Sequence, residues 1–397
     1  MSHIKQMLRT SRFSLIPIIC FLSVLTYENT VPESIRTIIV YGGWMLLFIE
    51  VIFTCKKNIP FLAIKYFSII IFFFAGVALL STFFASINYF NSPTIHSLYI
   101  SLFVFIIGLL AGRKLNENDV VVCFRWYMWG AVILSLFFFI KGIPTGFNLN
   151  SRQYFSLDKN SMGQIIATAA CILILDKKGL QSRKTLYNII IGIFLIVNVF
   201  LLRSRTSILC FAFSLLIILA SRVTSKKVKR WMFVFAVVFV VILFTNDTLR
   251  NVFFNGILLA NRSLTDLNDL TSGRFNIYLN FGNLMNGNWL SGNGGRYYES
   301  FYLSAFVQFG FVVGSILILS VLYVIGCTRK VYRHIEYGFL LYILAISYSM
   351  NGVFEGLPPV GPGIKNFALW LLLGFGLAHY SRKDLNDSSG IEKTGVV

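Results

Sequence analysis

Residues 231–245, WMFVFAVVFVVILFT, and residues 301–326, FYLSAFVQFGFVVGSILILSVLYVIG, are two apolar runs with a long polar stretch, 246–300, between them. Neither run leaves a polar stripe to meet water, so neither reads as the surface helix of a soluble domain. Both read as membrane spans. The pattern recurs along the chain and predicts an all-α integral membrane protein with about 12 transmembrane helices. The spans fall at 13–27, 35–54, 63–87, 94–112, 120–140, 161–176, 186–202, 206–221, 231–245, 301–326, 337–353 and 363–380. A strand barrel is excluded, because the apolar runs are continuous rather than alternating.

Composition points the same way. Of 397 residues 56% are hydrophobic and 13% are charged, and 40 are phenylalanine. A soluble domain carries about twice that share of charge. The net charge of +19 raises the question of nucleic acid. The basic residues are spread through short loops instead of gathered on one face, so no nucleic-acid partner is expected. Membrane topology accounts for them better. With the N-terminus inside, the inner segments carry about twice as many Lys and Arg as the outer ones, which is the bias the positive-inside rule requires. Both termini are then cytoplasmic. The first span follows Lys5, Arg9 and Arg12 without a small-residue cleavage pattern, so it reads as a retained helix.

The six cysteines lie in or at the edges of spans, without the spacing of a zinc site or a disulfide frame. No cluster has metal-ligand spacing, and no metal or other cofactor is expected. No internal repeat is visible. The whole chain, 1–397, reads as one polytopic membrane domain, with a polar tail at 384–397 expected to be disordered. The stretch 246–300 is too short for a domain of its own. It reads as one long outer loop between spans nine and ten, packed on the outer ends of the helices.

This topology places several arginines on the face where they are disfavoured. Arg203-Ser204-Arg205-Thr206 forms the tight turn between spans seven and eight. Ser204 or Thr206 can cap the next helix. A helix start flanked by two guanidiniums suits an anion, phosphate above all. The alternative is that Arg203 and Arg205 only reach to lipid headgroups. In the loop, Thr271 or Ser272 can cap an interfacial helix near 273–286, with Phe275, Tyr278, Gly282 and Met285 on one face. Arg274 lies in its first turn and Tyr278 one turn on, over the same face. A cation there favours a bound anion, and a plain surface arginine is the alternative. The glycines at 292–295 permit close backbone approach and positive φ, but lack the lysine and context of a nucleotide loop. Glu299 stands just before span ten. It is either a general base or a solvated loop-end acid. Glu50 and Arg125 can pair with each other, His96 reads as structural, and Gln308 and Glu355 as cavity-lining.

Taken together, Arg203-Ser204-Arg205-Thr206, Ser272-Gly273-Arg274 with Tyr278, Asn288-Trp289-Leu290-Ser291-Gly292-Asn293-Gly294, and Glu299-Ser300 opening a span with Gly310 and Gly314 resemble the O-antigen ligase and polymerase superfamily. The likeness covers roughly 195–320; the first half is similar only in hydropathy and topology. Ligases of that superfamily carry a histidine before the span that follows the long loop. Here Glu299-Ser300 stands in that place, and no histidine lies between 97 and 333. The departure favours a Wzy-type O-antigen polymerase over a ligase. The resemblance implies a metal-independent glycosyltransferase of the bacterial inner membrane that joins undecaprenyl-diphosphate-linked glycans into O-antigen or a related polysaccharide. Arg203, Arg205, Arg274 and Tyr278 would bind the diphosphate and Glu299 would be the base. Membrane lipid and a chain-length regulator protein are the other partners implied. A lipid-linked oligosaccharide flippase is the rival of a different class, but its charges would lie deep in a central cavity and its halves would be related.

Overall fold

The structure, a computed structural model, describes residues 15–54, 93–144, 159–176, 185–259, 265–271, 273–293, 298–356 and 366–388. The expected span 63–87, Ser272 and the side chain of His96 lie outside the described residues. Among the described residues every regular element is a helix. The longer ones are α1 (Leu15–Leu25), α2 (Glu33–Thr54), α3 (Pro93–Gly112), α4 (Glu117–Gly142), α5 (Lys159–Leu175), α6 (Thr185–Leu201), α7 (Arg205–Ala220) and α8 (Lys226–Thr245). After the loop come α13 (Phe301–Val331), α14 (Gly338–Asn351) and α15 (Phe367–Ser388). Short helices occupy the loop: α9 (Asp247–Asn251), α10 (Leu267–Leu270), α11 (Arg274–Leu279) and α12 (Phe281–Met285).

Four helices, α2, α4, α8 and α13, are long and apolar enough to cross a membrane, and several shorter apolar ones stand beside them. α8 makes the solvent plain. Phe233, Val238, Val241 and Phe244 are all exposed along it, and Leu243 is its one buried residue. So large an apolar surface is untenable in water and ordinary in lipid.

The core is built by close helix contact. α15 packs along α3, and the two meet at glycines. A Cβ on Gly108 would lie 2.4 Å from the Leu371 carbonyl oxygen, and one on Gly374 would lie 2.5 Å from that of Phe105. Small residues of this kind let helix backbones approach where lipid supplies no hydrophobic drive. The expected end of the last span at 380 is passed: α15 runs on to Ser388, so the tail begins as helix. Arg382 and Lys383 tie that extension down, donating to the carbonyls of Gly112 and His334.

The polar contacts sort into two groups at opposite ends of the helices. One group joins Lys141 to Glu28, Asn160 to Glu355, and Gln164 to Asn366. The other joins Arg125 to Asp176, Lys383 to Glu117, and His379 to the Leu115 carbonyl. α4, α5 and α15 each therefore carry one group towards one end and the other group towards the other. Arg125 does not pair with Glu50 as expected. Its guanidinium grips Asp176 at the end of α5 through two bonds of 2.6 and 2.9 Å, a fork-to-carboxylate match that a single glutamate elsewhere does not displace.

Candidate functional site

The helix expected over 273–286 is two helices. α11 ends at Asn280, α12 begins there, and Asn286 closes α12 in the left-handed region at φ 47°. Gly273 precedes α11 at φ 84°, and Thr271 Oγ1 accepts from the Phe275 N–H at 2.9 Å. The N-cap position is thus Gly273, neither Thr271 nor Ser272 as expected, although Thr271 still satisfies one N–H of the first turn. The inward face also differs. Ile277, Phe281, Leu284 and Met285 pack with Tyr298, Leu303 and Val307, while Phe275 and Tyr278 are exposed. The break at Asn280 lets each short helix turn its own apolar residues onto α13.

α13 is itself broken, and the break holds the loop in place. Gly310 has φ 72° and ψ 178°, a conformation only glycine adopts cheaply. The Val307 carbonyl loses its helical partner Phe311. Instead it accepts from the Asn293 N–H at 2.7 Å, while the Phe311 N–H donates to the Trp289 carbonyl at 2.8 Å. The glycine-rich loop has entered the gap and satisfied both groups, as buried backbone requires. A Cβ on Gly292 would meet the Gln308 carbonyl oxygen at 2.4 Å, so the close approach read from the glycine run occurs at Gly292 (φ 73°). Trp289 stacks on Phe311 at 5.7 Å above this junction.

On that platform Arg274 lies between two carboxylates. Its guanidinium is 2.8 Å from Glu299 and 3.5 Å from Glu355. The two acids differ sharply. The Glu299 side chain is 45% exposed and that of Glu355 is 9% exposed. Glu299 is therefore the more solvated of the two. Glu355 is anchored: its Oε1 accepts from Asn160 Nδ2 at 2.7 Å. The turn that carries it accepts the first N–H of α13, from Phe301 to the carbonyls of Gly352 and Glu355 at 2.8 and 2.9 Å. Tyr278 adds a third tie, its hydroxyl bonded to Ser300 Oγ at 2.7 Å and to the Val353 carbonyl at 2.8 Å. Arg274 itself is mostly buried, and its Nε has no acceptor among the described residues.

The tight turn before α7 reaches this cluster through Asn160. Ser204 caps α7, accepting from the Ser207 N–H. Its Oγ also donates to Asn160 Oδ1 at 2.8 Å. Arg203 holds the left-handed region at φ 49°, a strain of about 1 kcal/mol or more for a side chain with a Cβ. Arg203 and Arg205 flank Ser204, and both are half-exposed. Arg274, Glu299 and Tyr278 are thus brought together directly. Arg203 and Arg205 are joined to them by one relay, Ser204 to Asn160 to Glu355.

Sequence reasoning gave Glu355 a lining role and passed over Asn160. The missed pattern is a polar seam on α5. Asn160, Gln164 and Thr168 recur every fourth residue and face one side. Gln164 bonds Asn366 and Asn351 at 2.9 and 2.6 Å, and Thr168 bonds Tyr348 at 2.8 Å. Among the described residues no group of His, Cys, Asp and Glu could hold a metal ion. No protein-family model matches the chain, and no curated protein matches it.

Proposed function

We propose that the chain is a Wzy-type polymerase of O-antigen or a related surface polysaccharide, a metal-independent glycosyltransferase of the bacterial inner membrane. In this reading it has about 12 spans, both termini are cytoplasmic and the long loop is periplasmic. The grouping of polar contacts at alternate helix ends supports that topology. One observation carries the chemistry: a mostly buried arginine whose Nε has no acceptor among the described residues, set between an exposed carboxylate and an anchored one.

The diphosphate of the lipid-linked donor binds at Arg274, with Arg203 and Arg205 completing the cationic rim. Guanidinium forks match phosphate oxygens, and they stabilise the charge that builds on the leaving diphosphate. The incoming anion competes with Glu299 for Arg274, not with Glu355, because Glu299 is exposed and Glu355 is held by Asn160. Release from Arg274 frees the Glu299 lone pairs to accept a proton. The acceptor hydroxyl oxygen then bonds to the anomeric carbon of the donor, the bond from that carbon to the diphosphate oxygen breaks, and the proton passes to Glu299. Glu355, Asn160, Tyr278 and Ser300 hold the arginine in place.

The test is the glycan ladder of a strain lacking the protein. The polymerase reading expects the ladder to vanish while one attached repeat unit remains. Loss of all attached glycan would instead indicate a ligase, and single units trapped on the cytoplasmic side would indicate a flippase.

A further inference from the structure

α13 is broken where the strap 288–293 meets it. The Val307 carbonyl and the Phe311 N–H are four residues apart, so in an unbroken helix they would bond each other. Here each bonds the strap instead, at Asn293 and Trp289, over 2.7 and 2.8 Å. When the strap leaves, the two groups can close on one another. The freed Asn293 N–H and Trp289 carbonyl belong to exposed residues, which water can reach. No buried backbone group is orphaned in either arrangement, the condition that apolar surroundings impose.

The docking itself is shallow. Asn288, Trp289, Leu290 and Asn293 are exposed, Leu290 by 66%, and Gly292 is the strap's one buried residue. The catch is a pair of glycines at positive φ, Gly292 and Gly310. A Cβ on Gly310 would lie 2.0 Å from the Leu290 carbonyl oxygen. Docking therefore needs glycine at 310, whereas a continuous α13 would be better served there by alanine. The strap is also tied to α12. The Asn288 N–H donates to the Met285 carbonyl at 2.8 Å, Asn293 Nδ2 donates to the Leu284 carbonyl, and the Trp289 ring meets Phe281 edge-on at 6.1 Å. α11 is held separately, by Tyr278 on Ser300 and Val353 and by Arg274 on Glu299. Asn280 is the joint between α11 and α12.

We propose that α12 and the strap form a lid, 281–293, hinged at Asn280 and latched at the junction of Gly292 and Gly310. Opening lifts Phe281, Leu284 and Met285 from Leu303 and Val307, and α13 closes into one continuous helix as the strap leaves. This is a two-state element and not a frayed loop, because each state satisfies the same two backbone groups of α13. Phe311 and Val312, beside the junction, are exposed on an apolar helix, so the lid lifts on the side that faces lipid. It uncovers the first turns of α13, next to Glu299 and Ser300, while Arg274 keeps its anchors. The lid is a property of the fold and does not depend on the glycosyltransferase reading.

The test uses the full-length protein in lipid nanodiscs. Met285 is fully buried under the lid, so Met285→Cys places a thiol whose rate of reaction with a maleimide reads opening. The described native cysteines are all buried and set the background. Labelling of Met285→Cys should be slow, and about tenfold faster when Gly310→Ala is added. The Asn293 N–H should lose its protection from hydrogen exchange in the same proportion. The unfolding midpoint of Gly310→Ala should stay within about 2 °C of the unaltered protein, because α13 closes behind the lid. Trp289→Ala leaves both glycines in place and removes the ring that stacks on Phe311; it should raise labelling several-fold. A Gly310→Ala protein that fails to fold or melts well below the unaltered one, or labelling unchanged by either substitution, would overturn the inference and make the junction a fixed splint.

Discussion

Two arginines, Arg274 and Arg125, stand at opposite ends of the same helices, and both are paired with acid. Arg125 meets one carboxylate through two bonds, and that carboxylate is mostly buried. Arg274 meets two carboxylates through single contacts, one of them half in solvent, and among the described residues its Nε has no acceptor. A matched fork is a strut: it joins α4 to α5 with its charge answered by one carboxylate. A shared and incompletely matched arginine can exchange one partner for a ligand without losing its anchor. Pairing stoichiometry, more than burial or charge, separates the place where chemistry can occur from the place where the bundle is braced.

The comparison breaks most visibly at the arginines themselves. Arg274→Ala should abolish long polysaccharide, a loss of about 10²–10³-fold or more in polymer formed, read as collapse of the glycan ladder to one unit. Arg274→Lys should keep the protein in the membrane without restoring the ladder, because an ammonium cannot fork. Arg125→Ala should do the reverse. Removing it takes from Asp176 its two-bonded guanidinium and should cost about 3 kcal/mol, seen as a lowered unfolding midpoint, while the protein that does fold still makes a full ladder. Asn160→Ala removes a hydrogen bond to a charged, buried acid, worth about 1.5–3 kcal/mol. It should lower the midpoint and shorten the ladder together, since Glu355 then no longer fixes Arg274. Tyr278→Phe is the mildest change, about 1 kcal/mol, and should trim chain length without removing the ladder.

The sequence made the helices legible because lipid removes ambiguity. An apolar run such as 231–245 has few other ways to satisfy its backbone, and it became the exposed helix α8. The conjunction of Arg274, Tyr278 and Glu299 was also legible, because each stands in a polar stretch where little else explains it. Glu355 and Asn160 were harder to place. They sit 195 positions apart in the chain, and no local pattern tells which helix ends will meet. The wrong partner for Arg125 has the same cause: spacing does not tell which acid will lie beside it, and only the docking of α4 on α5 decides. Gly310 hid for another reason. In a long apolar run a glycine reads as a small residue, and the break appears only once the loop at Gly292 is seen to fill it.

Glu299→Gln is the sharpest single change, because it removes the carboxylate's capacity to take a proton while keeping its size. It is far enough into solvent that its pairing contributes no more than about 1 kcal/mol, so the protein should reach the membrane in normal amount. The glycan ladder of a strain carrying only this variant should then fall to a single attached unit. A ladder of normal length from normally abundant Glu299→Gln protein would show that Glu299 is not the base, and that Arg274 holds it for structure alone.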